Sequence, residues 1–229
     1  MIIDGFQKLT LLDFPEKMAC MIFTRGCNLK CPFCQKGSLV LNKTKEGFID
    51  ESEIFEYLKK RKNLLDGVVV SGGEPLLQRD IKTFITKIKD LGYKVKIDTN
   101  GTSPLLLEEL INEGLVDYVA MDIKNVFEKY PKITGCKNVN TDNIKKSIKI
   151  LKQDKIDYEF RTTIVKEFHA LEDIKKILSY IGGSKYYLQN FVDNENVIQS
   201  GLHGFSREEL IDINNELEKE FTNFKIREL

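Results

Sequence analysis

The fold is decided by residues 18–34, which read MACMIFTRGCNLKCPFC. Residues 18–24 form an apolar run of strand-forming side chains, and the Arg25-Gly26 turn follows it. Cys27, Cys31 and Cys34 come directly after this turn. Parallel α/β sheets and barrels carry their chemistry at the carboxyl ends of their strands. The stretch therefore predicts an α/β fold with a functional site in the loop after this strand.

The spacing of these three cysteines, CxxxCxxC, indicates what the loop can bind. Three thiolates can hold three irons of a [4Fe–4S] cluster and leave the fourth iron open, whereas clusters that only transfer electrons normally have a complete set of protein ligands. The spacing therefore favours one cluster that takes part in a reaction, with Cys27, Cys31 and Cys34 as its catalytic metal ligands.

Structural zinc and a disulfide framework are the alternatives for these cysteines. Zinc prefers four ligands, usually as two pairs, but the remaining candidates are isolated in the sequence: Cys20, Cys136, His169 and His203. We expect these two cysteines to be small buried hydrophobic residues and both histidines to be structural or exposed. The odd total of five cysteines disfavours a disulfide framework.

Length and composition restrict the class of protein. The chain of 229 residues can bury a core, its hydrophobic fraction is 41%, and no apolar run approaches the length of a membrane span. Its 35 basic and 35 acidic residues balance, which argues against a nucleic-acid partner held by bulk electrostatics. The first residues lack a basic region followed by an apolar one, so we expect a cytoplasmic protein that binds neither nucleic acid nor membrane.

Strand and helix patterns alternate along the chain, which is typical of parallel βα units. Strands are predicted at residues 18–24, 68–71, 94–98, 118–122, 158–165 and 186–189. Helices are predicted from N-cap signals at Asp50, Ser103 and Ser206 and from apolar stripes at residues 81–88 and 171–181. Six units are too few for a closed eight-stranded barrel. We therefore expect an α/β fold with an open partial (β/α)6 TIM-like barrel.

We expect one domain over residues 1–229, because no linker or internal repeat divides the chain. Residues 1–15 would be an N-terminal extension, residues 16–205 the partial barrel core, and residues 206–229 a C-terminal helix and tail. The extension and residues 221–229 are expected to cover the barrel edges or to add an irregular strand.

Polar residues follow the predicted strands and should meet at one rim of the barrel. They are Ser71-Gly72-Gly73-Glu74-Pro75, Asp98-Thr99-Asn100-Gly101, Asp122-Ile123-Lys124, Arg161-Thr162-Thr163 and Gln189-Asn190. The glycine pair would let a ligand approach the backbone, and Glu74 could accept a hydrogen bond from an ammonium group. Asp98 and Asp122 could bind hydroxyls, an amino group or a cation, or could form turns. Lys124 could neutralise a carboxylate, and Arg161, inside a strand where an unpaired charge is costly, is expected to have a partner or a ligand.

Two of these motifs resemble those of the radical S-adenosylmethionine (radical SAM) superfamily. The three cysteines, with aromatic Phe33 before the last one, resemble its cluster loop, and Gly72-Gly73-Glu74-Pro75 resembles its motif for the amino group of the methionine part of SAM. The resemblance covers nearly the whole chain. It implies a partial barrel, a [4Fe–4S] cluster and SAM.

Within the superfamily, the chain resembles glycyl-radical-enzyme activating enzymes. Residues 5–15, GFQKLTLLDFP, are similar to the start of activating proteins for anaerobic ribonucleotide reductase, and the segments beginning at Asp98 and Asp122 resemble motifs of pyruvate formate-lyase activating enzymes. There the counterparts of Asp98, Asp122 and Lys124 surround SAM, with a monovalent cation near the aspartates. The cofactor-binding residues that the resemblance implies are Phe33, Gly72, Gly73, Glu74, Asp98, Thr99, Asp122, Lys124, Arg161 and Gln189.

The implied reaction is the reductive cleavage of SAM, with an electron from flavodoxin or ferredoxin, to methionine and a 5′-deoxyadenosyl radical. In an activating enzyme this radical removes a hydrogen atom from a glycine of a partner protein. One departure is Gln35-Lys36, which stands where activating enzymes usually have His-Asn. This departure leaves the identity of the partner protein open. The segment 191–204 does so as well, because it could be a substrate lid or a docking surface.

The sequence is therefore also compatible with two alternative functions. The first is a radical SAM enzyme that acts on a small molecule or a modified nucleoside. The second is a zinc- or cluster-stabilised binding module without enzymatic activity.

Overall fold

The computed structural model describes residues 1–41, 48–227 and 229, and its strands form one eight-stranded sheet. In chain order the strands are β1 (Ile3–Thr10), β2 (Ala19–Thr24), β3 (Gly67–Gly72), β4 (Lys94–Thr99), β5 (Tyr118–Asp122), β6 (Asp157–Ile164), β7 (Tyr186–Asn190) and β8 (Phe224–Ile226). β1 is antiparallel to β2, and every later pair of neighbours is parallel. Within the described ranges, no hydrogen-bonded ladder joins β8 to β1, so the barrel is open on that side.

This sheet confirms the predicted open partial barrel. The six predicted strands coincide with β2 to β7, with ends that differ by at most one residue. The N-terminal extension supplies β1 and the C-terminal tail supplies β8, so each end of the chain adds a strand to one edge of the six-stranded core.

Helices connect the strands on the outside of the barrel. They are α1 (Gly37–Val40), α2 (Glu51–Lys60), α3 (Ile81–Asp90), α4 (Pro104–Asn112), α5 (Tyr130–Ile133), α6 (Thr141–Leu151), α7 (Leu171–Ile181) and α8 (Arg207–Glu218). Two of the three predicted caps occur: Asp50 accepts from Ser52 N at the start of α2, and Ser206 accepts from Glu209 N at the start of α8. Ser103 precedes Pro104 at the start of α4 as predicted, but its side chain makes no capping hydrogen bond. Among the described helices, none is long and apolar enough to cross a membrane.

The main hydrophobic core lies between the helices and the outer face of the sheet. Because side chains alternate along a strand, β4 sends Val95 and Ile97 into this core and turns Lys96 and Asp98 to the barrel interior. The outer face therefore provides most of the buried apolar surface. The inner face is free to carry polar groups at the carboxyl ends of the strands.

The amino-terminal end of the barrel interior is filled by a second apolar cluster. Phe14 packs there with Ala19, Met21, Val69 and Tyr118. Gly67 makes room for this ring, because a Cβ on Gly67 would lie 2.8 Å from Phe14 Cε1. The N-terminal extension thus not only covers an edge but also fills the base of the barrel, which leaves the interior cavity at the opposite end.

Candidate active site

A cavity of about 360 Å³ lies at the carboxyl ends of the parallel strands. All thirteen residues predicted for the site line it: Cys27, Cys31, Phe33, Cys34, Gly72, Gly73, Glu74, Asp98, Thr99, Asp122, Lys124, Arg161 and Gln189. Ser71, Asn100 and Thr163, which the sequence also placed at this rim, line the cavity too, as do Asp13 and Lys36, which the rim prediction did not include. The parallel topology brings these residues together from segments that span most of the chain.

The cysteine loop is anchored on its neighbours by backbone and apolar contacts. Lys30 N donates to Thr134 O at 2.8 Å, and Leu29, Cys31 and Phe33 are buried in an apolar cluster that also includes Phe191. The Phe33 ring lies edge-on to His169, with ring centroids 6.0 Å apart. These contacts fix the loop while its cysteine side chains face the cavity.

The sulfur atoms lie in a mixed environment of apolar groups and N–H donors. Cys27 Sγ accepts from Leu29 N at 3.4 Å and from Asn100 Nδ2 at 3.7 Å. Burial raises the pKa of Cys27 to about 12 and that of Cys31 to about 11. Both thiols are therefore protonated at neutral pH when no metal is bound, and metal binding must release their protons.

The glycine pair brings the end of β3 close to the start of the cysteine loop. Gly73 N donates to Thr24 O at 2.9 Å, and Glu74 N donates to Gly26 O at 2.8 Å. A Cβ on Gly73 would overlap the Gly26 carbonyl oxygen, and Gly72 has a φ of +120°, which disfavours any other residue. The sequence predicted a close approach to a ligand, and the structure adds a close approach of one loop to another.

The Glu74 carboxylate, predicted to accept from an ammonium group, already accepts from three groups of the protein. Thr99 Oγ1 donates to Oε1 at 2.8 Å, Leu76 N donates to Oε1 at 3.1 Å, and Asn100 N donates to Oε2 at 2.7 Å. The side chain is 1% exposed. Glu74 therefore ties the β3 turn to the end of β4. Burial raises its pKa to about 7, although the hydrogen bonds from Asn100, Thr99 and Leu76 oppose the shift.

This raised pKa predicts a pH-dependent difference between the wild type and Glu74→Gln. Glu74 takes up a proton more readily in the folded than in the unfolded chain, so its contribution to stability is complete below the unfolded pKa and is lost as the pH rises through about 7. The free energy of unfolding of the wild type, relative to Glu74→Gln, should therefore fall by about 1–3 kcal/mol between pH 5 and pH 8. Urea unfolding of both metal-free proteins at the two pH values measures this; a constant difference would contradict the prediction.

Asp98, Asp122 and Arg161 form the charged centre of the cavity. Arg161 Nε lies 2.9 Å from Asp122 Oδ1, and Arg161 Nη1 lies 3.4 Å from Asp98 Oδ1. Lys96 Nζ is 2.5 Å from Asp98 Oδ1, and Lys124 Nζ is 3.1 Å from Asp122 Oδ2. Arg161 thus has the partners that its place inside a strand requires. Neither aspartate forms the alternative turn or helix cap.

These neighbours determine the charges of the centre. Burial alone would raise the pKa values of Asp98 and Asp122, but Arg161 together with Lys96 or Lys124 holds both below their usual range. Burial would also lower the pKa of Lys124 and of Arg161, but the carboxylates, Asp122 foremost, raise both. All four groups are therefore charged across the neutral range.

Gln35 and Lys36, which stand where activating enzymes usually have His-Asn, have side chains that point in different directions. Lys36 Nζ enters the cavity, donates to Ser71 Oγ at 3.1 Å and lies 4.6 Å from the centroid of the Phe23 ring. Ser71 Oγ in turn donates to Asp98 Oδ2 at 2.9 Å. Burial lowers the pKa of Lys36. The side chain of Gln35 instead turns outward and donates to Val192 O at 2.8 Å.

The segment 191–204 lies against the back of the cysteine loop. Besides the bond from Gln35, Gly37 N donates to Asn196 O at 2.9 Å, and Gln199 N donates to Pro32 O at 2.9 Å. Phe191 and Leu202 are buried in the apolar cluster of the loop. The segment therefore supports the cysteine loop, a role that the sequence did not indicate.

Predictions for the other cysteines and histidines are mostly confirmed. Cys20 is fully buried, His169 is buried with Nε2 2.8 Å from Lys124 O, and His203 is exposed beside Glu167. The prediction for Cys136 is wrong: it is only partly buried, because it lies at the margin of the apolar cluster behind the cysteine loop. In the part of the chain that the structure describes, no three or more His, Cys, Asp or Glu side chains are grouped closely enough to hold one metal ion.

The cavity fits a three-cysteine cluster with SAM. All three cysteines line this cavity, N–H donors reach Cys27 Sγ, and such donors stabilise a metal-bound thiolate. Cationic and anionic side chains line the rest of the cavity, which suits a ligand with carboxylate, ammonium and sulfonium groups.

The protein-family model of the Radical SAM superfamily matches residues 21–181 of this chain. A relative from Methanocaldococcus jannaschii, provisionally named as a glycyl-radical enzyme activating enzyme, is 38% identical over 195 residues, which are 83% of this chain and 80% of that protein. The pyruvate formate-lyase-activating enzyme of Staphylococcus aureus is 30% identical over 66% of this chain and 64% of its own length. The 7-carboxy-7-deazaguanine synthase of Thermoplasma acidophilum is 28% identical over 80% of this chain and 90% of its length.

A solved structure shows the same fold. Streptococcus suis SuiB bound to S-adenosylmethionine superposes with a TM-score of 0.67 at 17% identity, over 88% of this chain and 47% of SuiB. This chain thus corresponds to about half of that larger protein.

Proposed function

The chain belongs to the radical SAM superfamily, and we propose that it installs a glycyl radical on a partner protein. A [4Fe–4S] cluster and SAM are the cofactors of this family. The observation that carries the proposal is the 38% identity to a relative named as a glycyl-radical enzyme activating enzyme, over 80% of that relative. The pyruvate formate-lyase-activating enzyme supports it at 30% identity.

We assign the cluster to Cys27, Cys31 and Cys34. When bound, the cluster and SAM supply the one-electron cleavage that gives methionine and a 5′-deoxyadenosyl radical, with flavodoxin or ferredoxin as the proposed electron donor. Asn100 supports this site because its Nδ2 donates toward Cys27 Sγ and its backbone N holds Glu74. Hydrogen bonds to cluster sulfurs shift the reduction potential. Asn100, which the sequence placed at the rim without a role, is therefore a positioning residue.

The remaining lining residues would bind and orient SAM. Lys124 and Arg161 offer positive charge to its carboxylate, and Thr99 and Gln189 offer hydrogen bonds to its polar groups. Gly72 and Gly73 present backbone groups at the rim, Glu74 holds that rim in place, and Phe33 covers the cavity beside the cysteines. Such fixed positioning is the main contribution of a protein to chemistry that its cofactor performs.

The open side of the barrel gives a partner protein a route to the cavity. Because no ladder closes β8 onto β1 in the described ranges, a peptide loop can enter beside β1.

The proposed function is tested with anaerobically reconstituted protein, dithionite, SAM and the anaerobic ribonucleotide reductase of the same organism. We expect the EPR doublet of a glycyl radical on the reductase and one 5′-deoxyadenosine for each radical formed. The control is a reductase with its target glycine replaced by alanine, which should give no doublet. A normal rate of SAM cleavage without any radical on candidate glycyl-radical proteins would refute the proposal.

A second candidate is a small heterocyclic substrate. The match to 7-carboxy-7-deazaguanine synthase covers 90% of that enzyme, which makes the two chains alike in extent. This candidate predicts that a small deazaguanine precursor, rather than a protein, accelerates 5′-deoxyadenosine formation. The same assay with and without each substrate separates the two functions.

A further inference from the structure

Arg161 occupies the space between the two aspartates of the proposed SAM site. Its guanidinium bridges them, with Nε 2.9 Å from Asp122 Oδ1 and Nη1 3.4 Å from Asp98 Oδ1. The guanidinium is planar and holds its donors in a fixed fork, so it joins two carboxylates that would otherwise repel each other. Its side chain is only 12% exposed.

Two lysines also reach Asp98, one directly and one through a serine. Lys96, 2% exposed, places Nζ 2.5 Å from Asp98 Oδ1. Lys36 reaches the other carboxylate oxygen through Ser71, whose hydroxyl accepts from Lys36 Nζ and donates to Asp98 Oδ2. Both oxygens of Asp98 are therefore occupied by donors of the protein. Lys96 and Lys36 belong to neither motif of the resemblance.

This arrangement does not fit the monovalent cation that the resemblance implies near the aspartates. A cation needs several oxygen ligands facing one point. Here the oxygens of Asp98 and Asp122 face Arg161, Lys96, Ser71 and Lys124. Any added cation would also lie within a few ångströms of fixed positive charges in a buried site, where repulsion is weakly screened.

We propose that Arg161 and Lys96 take the place of a monovalent cation, so that this protein binds SAM without one. Arg161 and Lys96 together match the two negative charges of Asp98 and Asp122. Lys124, beside Asp122, adds a positive charge that is suited to the carboxylate of SAM. The inference rests on the proposed SAM site, but it does not depend on which substrate the radical attacks.

The wild-type protein provides the first test. Labelled SAM is bound to the reconstituted holoprotein by equilibrium dialysis in potassium, sodium or tetramethylammonium chloride of equal ionic strength. Tetramethylammonium is too large to enter a site for a bare ion. The Kd should agree within about twofold in all three salts, and a Kd at least about tenfold weaker in tetramethylammonium would overturn the proposal. Because the measurement reads SAM affinity, it is independent of whether a partner protein is activated.

Lys96→Ala provides the second test. The substitution removes the ammonium group beside Asp98 and leaves a space there that a potassium or sodium ion could enter. SAM affinity should fall by about tenfold in tetramethylammonium and recover at least in part in potassium or sodium. Lys94→Ala is the matched control, since Lys94 lies two residues earlier on β4 and pairs with Asp117; it should behave as wild type. Iron content and thermal unfolding verify that each variant is folded and loaded. Wild-type affinity of Lys96→Ala in every salt would overturn the proposal.

Discussion

Replacing Cys31 with alanine is expected to abolish SAM cleavage while most of the barrel stays folded. Cys31 is the central cysteine of the loop and lines the cavity. Without its thiolate, two ligands remain, and these cannot hold three irons of a cubane cluster. The rate of 5′-deoxyadenosine formation should fall by more than the roughly 100-fold that loss of an outer hydrogen-bond partner of a metal ligand typically costs.

The fold should survive because the main core lies on the other face of the sheet. Cys31 belongs to the smaller apolar cluster behind the loop, so its truncation removes little buried surface and should cost about 1 kcal/mol. Iron and sulfide content, circular dichroism and 5′-deoxyadenosine formation would be measured on one preparation. Cys136→Ala is the matched control, because Cys136 contacts the same cluster of side chains but does not line the cavity. A variant of Cys31 that keeps a full cluster and normal cleavage would refute the assigned ligands.

The elements of the fold were predictable because each has a local cause. Apolar runs of strand length alternate with stripes of helical period, and caps such as Asp50 and Ser206 accept backbone N–H groups as their types predict. The parallel connections then put the carboxyl ends of β2 to β8 at one rim. For that reason the lining residues could be listed from the sequence before their contacts were known.

The contacts inside the cavity were not predictable, because they depend on packing between distant segments. Glu74 receives two of its donors from Thr99 and Asn100, which lie on a different βα unit. Lys96 could have been noticed from the period of two on β4, which turns it to the same face as Asp98. The position of Phe14 could not be predicted for the same reason. Phe14 follows the edge strand β1 in the sequence, and only the assembled sheet shows that its side chain fills the base of the barrel interior.

Replacing Gly73 with alanine is the second substitution with a large expected effect. The end of β3 and the cysteine loop meet backbone to backbone, with Gly73 N bonded to Thr24 O at 2.9 Å and Glu74 N bonded to Gly26 O at 2.8 Å. A methyl group on Gly73 would overlap the Gly26 carbonyl group. Because backbone cannot rotate away as a flexible side chain can, the alanine must push the two segments apart, at a cost of about 3 kcal/mol.

That separation acts on Cys27 first, because Cys27 directly follows Gly26 and is a proposed cluster ligand. We therefore expect Gly73→Ala to lose most of its cluster and its SAM cleavage, even though it removes no ligand and no charge. Gly183→Ala is the control, since a Cβ there would meet no atom within 4 Å. Iron content, urea unfolding and 5′-deoxyadenosine formation should separate the two variants clearly. If both kept a full cluster, the glycine pair would serve ligand binding alone; if only Gly73→Ala lost it, the pair would be shown to set the position of the cysteine loop.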